Sequence, residues 1–486
     1  MNYKMMGRLL SQILLVEGVF MLPALFISFY NKEWIAAKAF AYTIFIIAVV
    51  AGVTFTICKN ARKKFYAREG LVCVGMSWII MSLLGCLPFY FSKEISSYID
   101  ALFEMVSGFT TTGASILSNV EALSKGLLYW RSFSHWLGGM GVLVFLLAVV
   151  PVGGKSNGFT MHLLRAESPG PNVGKLVPRM GKTAKILYCM YILLTILNFV
   201  FLLFGHMPVF DAVCTALGTA GTGGFGIKND SMASYSPYIQ NVCTVFMILF
   251  GVNFSCYYLL LLKQFRAVFC DQELRLYFGV IVGSIGLIAW NARGMAGMKT
   301  FGETLRHSAF QVASIITTTG FATTDFDQWP SFSKAILIFL MVIGACAGST
   351  GGGLKCGRLL LLMKSLRRNI RQVLNPQKVS VVRNNGQVVS ERVIDNTNAY
   401  LAAYVFIILF SFIVISLDGL SVTTNVTAVI SCFNNIGPGL DAVGPTCNYS
   451  VYGVISKIVL IVDMLAGRLE IFPMLILFSR HAWKRR

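Results

Sequence analysis

Charge is what this sequence has least of. Of its 486 residues, 13% are charged and 56% are hydrophobic, whereas soluble domains carry about 25% charged residues. A chain so poor in charge cannot cover itself with polar surface, which excludes an ordinary soluble domain and makes the bilayer its solvent. Acidic residues are scarcer than basic ones, 21 against 41. No catalytic carboxylate pair stands out, and no Ser/His/Asp or Cys/His arrangement is visible, so an enzyme is not expected. His135, His162, His206 and His307 are scattered without ligand spacing and read as interfacial or packing residues. The twelve cysteines include no CxxC pair, and Cys73, Cys86, Cys243 and Cys256 fall inside apolar runs. Buried free thiols fit that pattern; a disulfide or zinc framework does not. The first apolar run lacks a small-residue cleavage site and leads straight into a second, so it reads as retained helix and not as a signal peptide.

What is present is a series of apolar runs. Those of spanning length fall near 9–30, 34–57, 71–92, 127–151, 185–205, 239–262, 275–290, 331–346 continuing into 354–364, 398–416 and 451–479, ten in all. Four shorter pieces, 98–112, 209–221, 302–317 and 421–434, lie between spans. At 1.5 Å rise per residue they cannot cross a core about 30 Å thick, and they read as core or re-entrant half-helices. Basic residues set the orientation. They cluster at Lys4 and Arg8, in CKNARKKFYAREG after the second run, and at Lys155, Arg165, Lys175, Arg179, Lys182 and Lys185. Further clusters are Lys263, Arg266 and Arg275; Lys364, Arg367, Arg368, Arg371, Lys378, Arg383 and Arg392; and the tail RHAWKRR. Threaded alternately through ten spans, all of them fall on one side, which is then cytoplasmic and holds both termini. The net charge of +20 follows this topology and implies no nucleic-acid partner. The four short segments all fall on the outer side.

Each short segment ends in a similar polar phrase: Ser107-Gly-Phe-Thr110-Thr111-Thr112-Gly113, Gly218-Thr-Ala-Gly-Thr222-Gly223-Gly224, Ser314-Ile-Ile-Thr317-Thr318-Thr319-Gly320 and Ser431-Cys-Phe-Asn434-Asn435-Ile436-Gly437. The last glycines are 111, 96 and 117 residues apart, a loose internal repeat. In the second phrase Gly223 is an alternative equivalent. A half-helix that stops mid-membrane points its partly negative C-terminus at a central axis, and the carbonyls of a following extended stretch can replace a cation's water shell. Glycine permits the backbone angles and the close approach this needs. Carbonyl rings without carboxylates favour a monovalent cation. One Thr-Thr-Thr-Gly alone is more often a turn or a helix C-cap; four of them, each after a half-helix and each on the outer side, point to a selectivity filter.

Two further features fall inside spans. The run Gly348-Ser349-Thr350-Gly351-Gly352-Gly353-Leu354-Lys355 interrupts the eighth, where each glycine would cost a continuous helix about 1 kcal/mol. It lacks the GK[ST] ending of a phosphate loop, so nucleotide binding is rejected. It reads either as a flexible joint or as a loop that occludes a pore. Arg468 lies deep in the last span, where exposure to lipid would cost at least about 2.5 kcal/mol. It is expected either to pair with Asp463 or Glu470 or to face a pore. Arg131, beside Trp130, reads as an interfacial anchor.

The phrases GFTTTGAS, GTAGTGGFG, ITTTGFATTDFDQWP, AGSTGGGLKCGR and AGRLEIFP resemble, in order, those of the Trk/Ktr/HKT superfamily of potassium transporters, and the resemblance covers nearly the whole chain. The extra spans before residue 70 are similar to its bacterial Trk branch. The resemblance implies an all-α integral membrane fold of four pseudo-fourfold M1–P–M2 repeats with re-entrant half-helices, plus an N-terminal pair of helices. The expected divisions are 1–68, 69–152, 153–265, 266–392 and 393–486. It implies potassium uptake across a bacterial cytoplasmic membrane through a gated pore, with K+ as transported ion and no bound cofactor. The 348–353 loop, Lys355 and Arg468 would form the gate. A homodimer and a cytosolic TrkA-like ring that binds NAD and adenine nucleotides are implied as partners beside membrane lipid. Gly113 is similar to the potassium-selective members, where a serine would suggest sodium permeation. The second and fourth phrases depart from the Thr-Thr-Gly pattern, which implies less strict selectivity. A sodium- or proton-coupled symporter is the alternative, with Asp463 and Glu470 as the acidic residues that could couple. Of the inner helices, only the third is expected to be broken.

Overall fold

Inside a bilayer, helix is the element that satisfies every backbone group within its own segment, and the apolar runs of this sequence are long enough to use it. The computed structural model describes residues 1–59, 67–139, 141, 180–294, 300–377 and 380–483. The inner end of the fourth expected span, the 152/153 division, and Arg62, Lys63, Lys64, Lys155, Arg165, Lys175, Arg179 and Lys378 lie outside the described residues.

Two helices, α1 (Tyr3–Tyr30) and α2 (Trp34–Ile57), form an N-terminal pair joined by three residues. Next come α3 (Ala67–Gly85), α4 (Leu87–Phe91), the short α5 (Tyr98–Phe109) and α6 (Lys125–Gly139). The order long helix, short helix, inner helix then recurs, with the inner helix in two pieces, as α7 (Met180–Phe204), α8 (Val209–Gly221), α9 (Pro237–Phe250) and α10 (Phe254–Leu261). After α11 (Phe265–Phe269) it recurs as α12 (Gln272–Asn291), α13 (Phe301–Ile316), α14 (Ser331–Val342) and α15 (Cys356–Leu374). A two-residue hairpin, β1 (Arg383–Asn384) with β2 (Gln387–Val388), leads to α16 (Glu391–Ile415), α17 (Val422–Asn434), α18 (Val454–Arg468), α19 (Phe472–Phe478) and α20 (Arg480–Trp483). The Glu33 carboxylate docks the N-terminal pair on the first repeat, accepting the Lys125 and Gly126 N–H groups at the start of α6, where a negative charge suits the helix dipole.

Among the described residues, six helices are long and apolar enough to cross a membrane, and α9 with α10 makes a seventh if the bent pair is one span. The distribution of side chains is the inverse of a soluble protein's. Phe26, Phe45, Trp290 and Phe406 are exposed, while Glu104, Arg131, Lys355, Thr110 to Thr112, Thr317 to Thr319 and Asn434 to Asn435 are buried. Apolar surface outside and polar groups paired within is the arrangement a bilayer solvent demands.

The short helices α5, α8, α13 and α17 have 12, 13, 16 and 13 residues, too few to cross about 30 Å of hydrocarbon. Three start on a hydroxyl cap: Ser97, the Thr300/Glu303 capping box and Ser421. Pro208 sets the start of the other. Their C-terminal halves are buried, so all four point inward.

The expectation that only the third inner helix is broken is corrected here. α9 and α10 meet at 88° across Gly251-Val252-Asn253, where Asn253 caps α10 by accepting the Ser255 N–H. The last span breaks between α18 and α19 at Glu470 and Ile471, both at positive φ (55° and 68°). Nothing in Leu469-Glu470-Ile471 signals a break from local propensity, so its cause lies in contacts with neighbouring elements.

Candidate functional site

The four polar phrases end their helices in the same way. In each, a residue at positive φ stands two places before the last glycine: Thr111, Thr222, Thr318 and Asn435. Its N–H reaches back three residues, to Gly108, Thr219, Ile315 and Cys432. The next N–H reaches back five, from Thr112 to Ser107, Gly223 to Gly218, Thr319 to Ser314 and Ile436 to Ser431, at 2.8–3.0 Å. These paired bonds are a Schellman termination. Glycine normally holds its left-handed position; here three units use threonine, a β-branched residue for which positive φ is costly. The helix-cap reading of these phrases is therefore correct, and the cap carries strain.

The glycine that follows is held for a second reason. Gly113, Gly224, Gly320 and Gly437 all have positive φ, 75–101°. That pattern assigns Gly224, and not Gly223, as the counterpart in the second phrase. A Cβ added at Gly113 would fall on the carbonyl oxygen of Gly223, at Gly224 on that of Thr319, at Gly320 on that of Ile436, and at Gly437 on that of Thr112 (2.7 Å). Each glycine thus makes room for the carbonyl preceding the next unit's glycine, and the series closes on itself. All four glycines line one cavity of about 120 Å³, with Arg131 and Tyr449 at its wall, room for several waters. Gly223 answers to another neighbour, since a Cβ there would strike the His135 ring.

Buried polar contacts brace the ring. Glu104 on α5 takes the Arg131 Nε at 2.6 Å, the Ile116 N–H at 2.9 Å and the Ser115 hydroxyl at 3.0 Å. Arg131 also donates to the Gly226 carbonyl at 2.9 Å, and its guanidinium lies 3.7 Å from the Phe225 ring centroid. The expected interfacial anchor is corrected: Arg131 is 3% exposed, because Glu104 neutralises it and the returning strands of the first two phrases use its donors. His135 is likewise internal. Its Nδ1 faces the Gly108 carbonyl at 2.7 Å and its Nε2 accepts the Phe225 N–H at 3.2 Å, which assigns the proton to Nδ1. Asn435 spans the closing joint, donating to the Thr112 hydroxyl (3.0 Å) and the Met464 carbonyl (2.9 Å).

The glycine run between α14 and α15 packs against the half-helix ends of this ring. Gly352 N–H donates to the Thr318 hydroxyl at 2.6 Å, and a Cβ at Gly351 or Gly352 would meet the carbonyls of Thr317 or Asn434. The loop is bonded along its length. Cys346 N–H reaches Gly251 O, and Phe254 N–H reaches Gly348 O. The Thr350 hydroxyl donates to Phe250 O at 3.2 Å, and the Ser349 hydroxyl to Cys346 O at 2.6 Å. Lys355 Nζ donates to Gly351 O. Gly348 and Gly353 stand at positive φ. Glu273 of α12 accepts N–H groups on both flanks of the loop, Ala347 at 2.6 Å and Gly357 at 2.9 Å. A slack joint would not carry this set of bonds. Arg468 donates to Thr350 O (2.8 Å), Gly139 O (2.6 Å) and Gly138 O. Glu470 pairs with Arg358 on α15, and Asp463 accepts from Ser411.

The structure therefore brings the four expected phrases together around one cavity and sets the expected loop residues against them. Sequence reasoning missed Glu104, Glu273 and the breaks at Gly251–Asn253 and Glu470–Ile471, while His135 fits its reading as a packing residue. For the two acids a signal exists: each is a lone carboxylate beside or within an apolar run, a placement that requires partners.

Comparisons with known proteins point one way. The TrkH family profile, described as a cation transport protein, matches residues 36–484. The chain is 33% identical over 492 residues to the Trk system potassium uptake protein TrkH of Salmonella typhimurium, covering all of both chains. It is 32% identical over 468 residues to the Trk system potassium uptake protein TrkG of Escherichia coli strain K12, covering 96% of this chain and 95% of that one. Its fold is similar to the crystal structure of the potassium transporter TrkH from Vibrio parahaemolyticus, with a TM-score of 0.89, 29% identity and full coverage of both chains.

Proposed function

The chain belongs to the TrkH family of cation transport proteins, and from that premise we propose that it takes up potassium through a gated pore whose filter is the ring of four glycine turns. The observation that carries the reading is the cyclic closure of Gly113, Gly224, Gly320 and Gly437 on their neighbours' carbonyls around one cavity. Four half-helix C-termini, each with about half a negative charge, converge there. Carbonyl and hydroxyl oxygens of Thr110–Gly113, Thr222–Gly224, Thr317–Gly320 and Asn434–Gly437 would replace the water shell of K+. None of these residues is acidic, which suits a monovalent ion. The glycine loop 348–353, with Lys355 and Arg468, would close the pore on the far side of the ring; the bonds from Arg468 to Thr350, Gly138 and Gly139 support a closed state.

The frame of this reading is an N-terminal pair (1–68) followed by units 69–152, 153–265, 266–392 and 393–486, in a bacterial cytoplasmic membrane with both termini inside. The loop and α15 then face the cytoplasm, where the basic residues of α15 offer a surface to a cytosolic TrkA-like ring that binds NAD and adenine nucleotides. A homodimer belongs to the same reading. A coupled symporter is the second reading, favoured by two carboxyls within spans. Both oxygens of Glu17 and one of Asp463 have no partner among the described residues, and unpaired intramembrane acids are the groups that ion coupling uses.

The test is growth rescue of a bacterium lacking its own potassium uptake systems, joined to cation flux in liposomes, with Gly113→Ser as comparison. Rescue with K+ flux above Na+ flux is expected, and the serine variant should admit more sodium. No rescue together with no flux would reject the pore. Uptake that stops when an imposed sodium or proton gradient is collapsed would favour the symporter.

A further inference from the structure

One cleft has no part in the proposed pore. It is an open cavity of about 610 Å³ lined by Lys263, Gln264, Phe265, Arg266, Ala267 and Cys270, between the end of α10 and the short α11. Around it Leu261 and Phe269 are each 71% exposed, and Leu262 and Phe265 about half exposed. Lys263 and Arg266 alternate with these apolar side chains and are themselves exposed. Neither has an ion-pair partner among the described residues. Exposed aromatic and leucine side chains interleaved with basic ones form an interfacial segment, whose apolar groups enter the acyl boundary while the charges stay at headgroup level. A cleft at that depth with two uncommitted cations suits a phosphodiester attached to acyl chains.

We propose that this cleft binds the phosphate headgroup of an anionic lipid, with Lys263 and Arg266 on the phosphate and Phe265 and Phe269 among the acyl chains. The cleft also lies at one end of α10, whose other end holds the glycine loop: the Phe254 N–H donates to Gly348 O at 3.1 Å, just beyond the 88° break. Eight residues of helix, about 12 Å, separate the two. Lipid at the cleft is therefore coupled to the loop through α10. This coupling rests on the gating reading; the binding site does not.

The experiment uses the purified full-length protein. Its affinity for phosphatidylglycerol and phosphatidylcholine is measured by native mass spectrometry, for the wild type and for the double variant Lys263→Gln, Arg266→Gln. At about 1 kcal/mol for each basic residue near an anionic surface, the double variant should bind phosphatidylglycerol about 30-fold more weakly and phosphatidylcholine unchanged. Unchanged phosphatidylglycerol binding overturns the site, and equal competition by soluble glycerol phosphate overturns a lipid as its occupant. Reconstituted in vesicles of either lipid, wild-type potassium flux should depend on phosphatidylglycerol and the variant's should not. A variant that still follows the lipid overturns the coupling through α10. A wild type with no flux in any vesicle overturns the proposed function and leaves the binding result standing.

Discussion

Replacing the four ring glycines by alanine, one at a time, tests the proposed filter most directly. All four have positive φ, 75–86° at Gly113, Gly224 and Gly320 and 101° at Gly437, so each alanine carries a backbone cost of at least about 1–2 kcal/mol, affecting folding at every site. What differs is the space. At Gly437 the new Cβ lies 2.7 Å from Thr112 O, and a retreat of about 0.3 Å reaches the 3.0 Å that real Cβ atoms respect. At the other three sites the Cβ falls closer to the facing oxygen, and Gly224 is the tightest. Those oxygens must move several times further, and they belong to the next unit: Gly223 for Gly113, Thr319 for Gly224 and Ile436 for Gly320. If these carbonyls replace the ion's water, a displaced one raises the barrier to conduction. We expect Gly437→Ala to keep potassium flux within about tenfold of wild type, a barrier change below about 1.4 kcal/mol, and Gly224→Ala to lose about 100-fold. The assay is rubidium uptake into proteoliposomes, normalised to inserted protein. Four equal effects, or Gly437→Ala as the worst of the set, would refute the argument that the carbonyl–glycine contacts set conduction.

Three other outcomes are expected. Glu104→Gln leaves Arg131 buried beside a neutral partner and should destabilise the protein by about 3–5 kcal/mol, while Glu104→Leu with Arg131→Met should cost less than either single change; thermal unfolding in detergent reads both. Arg468→Ala removes the donors to Thr350, Gly138 and Gly139 and should raise basal flux about tenfold or more; flux at or below wild type would count against a clamp on the loop. Asp441, in the loop after the fourth phrase, accepts the Ser421 and Thr424 hydroxyls, and these hold its carboxyl below the usual carboxylate range. A depressed folded-state value gives stability that is fully present above the unfolded value near pH 4 and lost as pH falls through the lower folded one. Asp441→Asn should therefore lower the melting temperature at pH 7, by an amount that shrinks as pH falls below the unfolded value.

Much of this architecture is legible in the sequence because a bilayer leaves few solutions. Among the described residues, six of the ten expected spans are helices long and apolar enough to cross a membrane, and the four short segments are short helices, since length and hydropathy decide both. The glycine register is legible only to within one residue in the second phrase. Gly223 and Gly224 are both required, one by His135 and one by Thr319, and only the backbone angle tells them apart. Contacts between distant segments are not legible. Arg131 reads as an anchor until Glu104, 27 residues away, is seen against it. The break at Glu470–Ile471 has no local signal and arises where an inner helix meets the loop, whereas the break at Gly251–Asn253 combines such a contact with a local glycine and an Asn cap.

The turn at residues 468–470 has a kinetic consequence. Arg468 holds the middle of the loop at Thr350, and two residues on, Glu470 holds Arg358 on the helix that follows it. Both attachments leave from one short, strained piece of chain, so a single rearrangement of that turn releases both. Two independent attachments would give two rate constants and a populated half-released state. If the loop is the proposed gate, one shared origin would release these two attachments together, and single-channel records would show no dwell between their release.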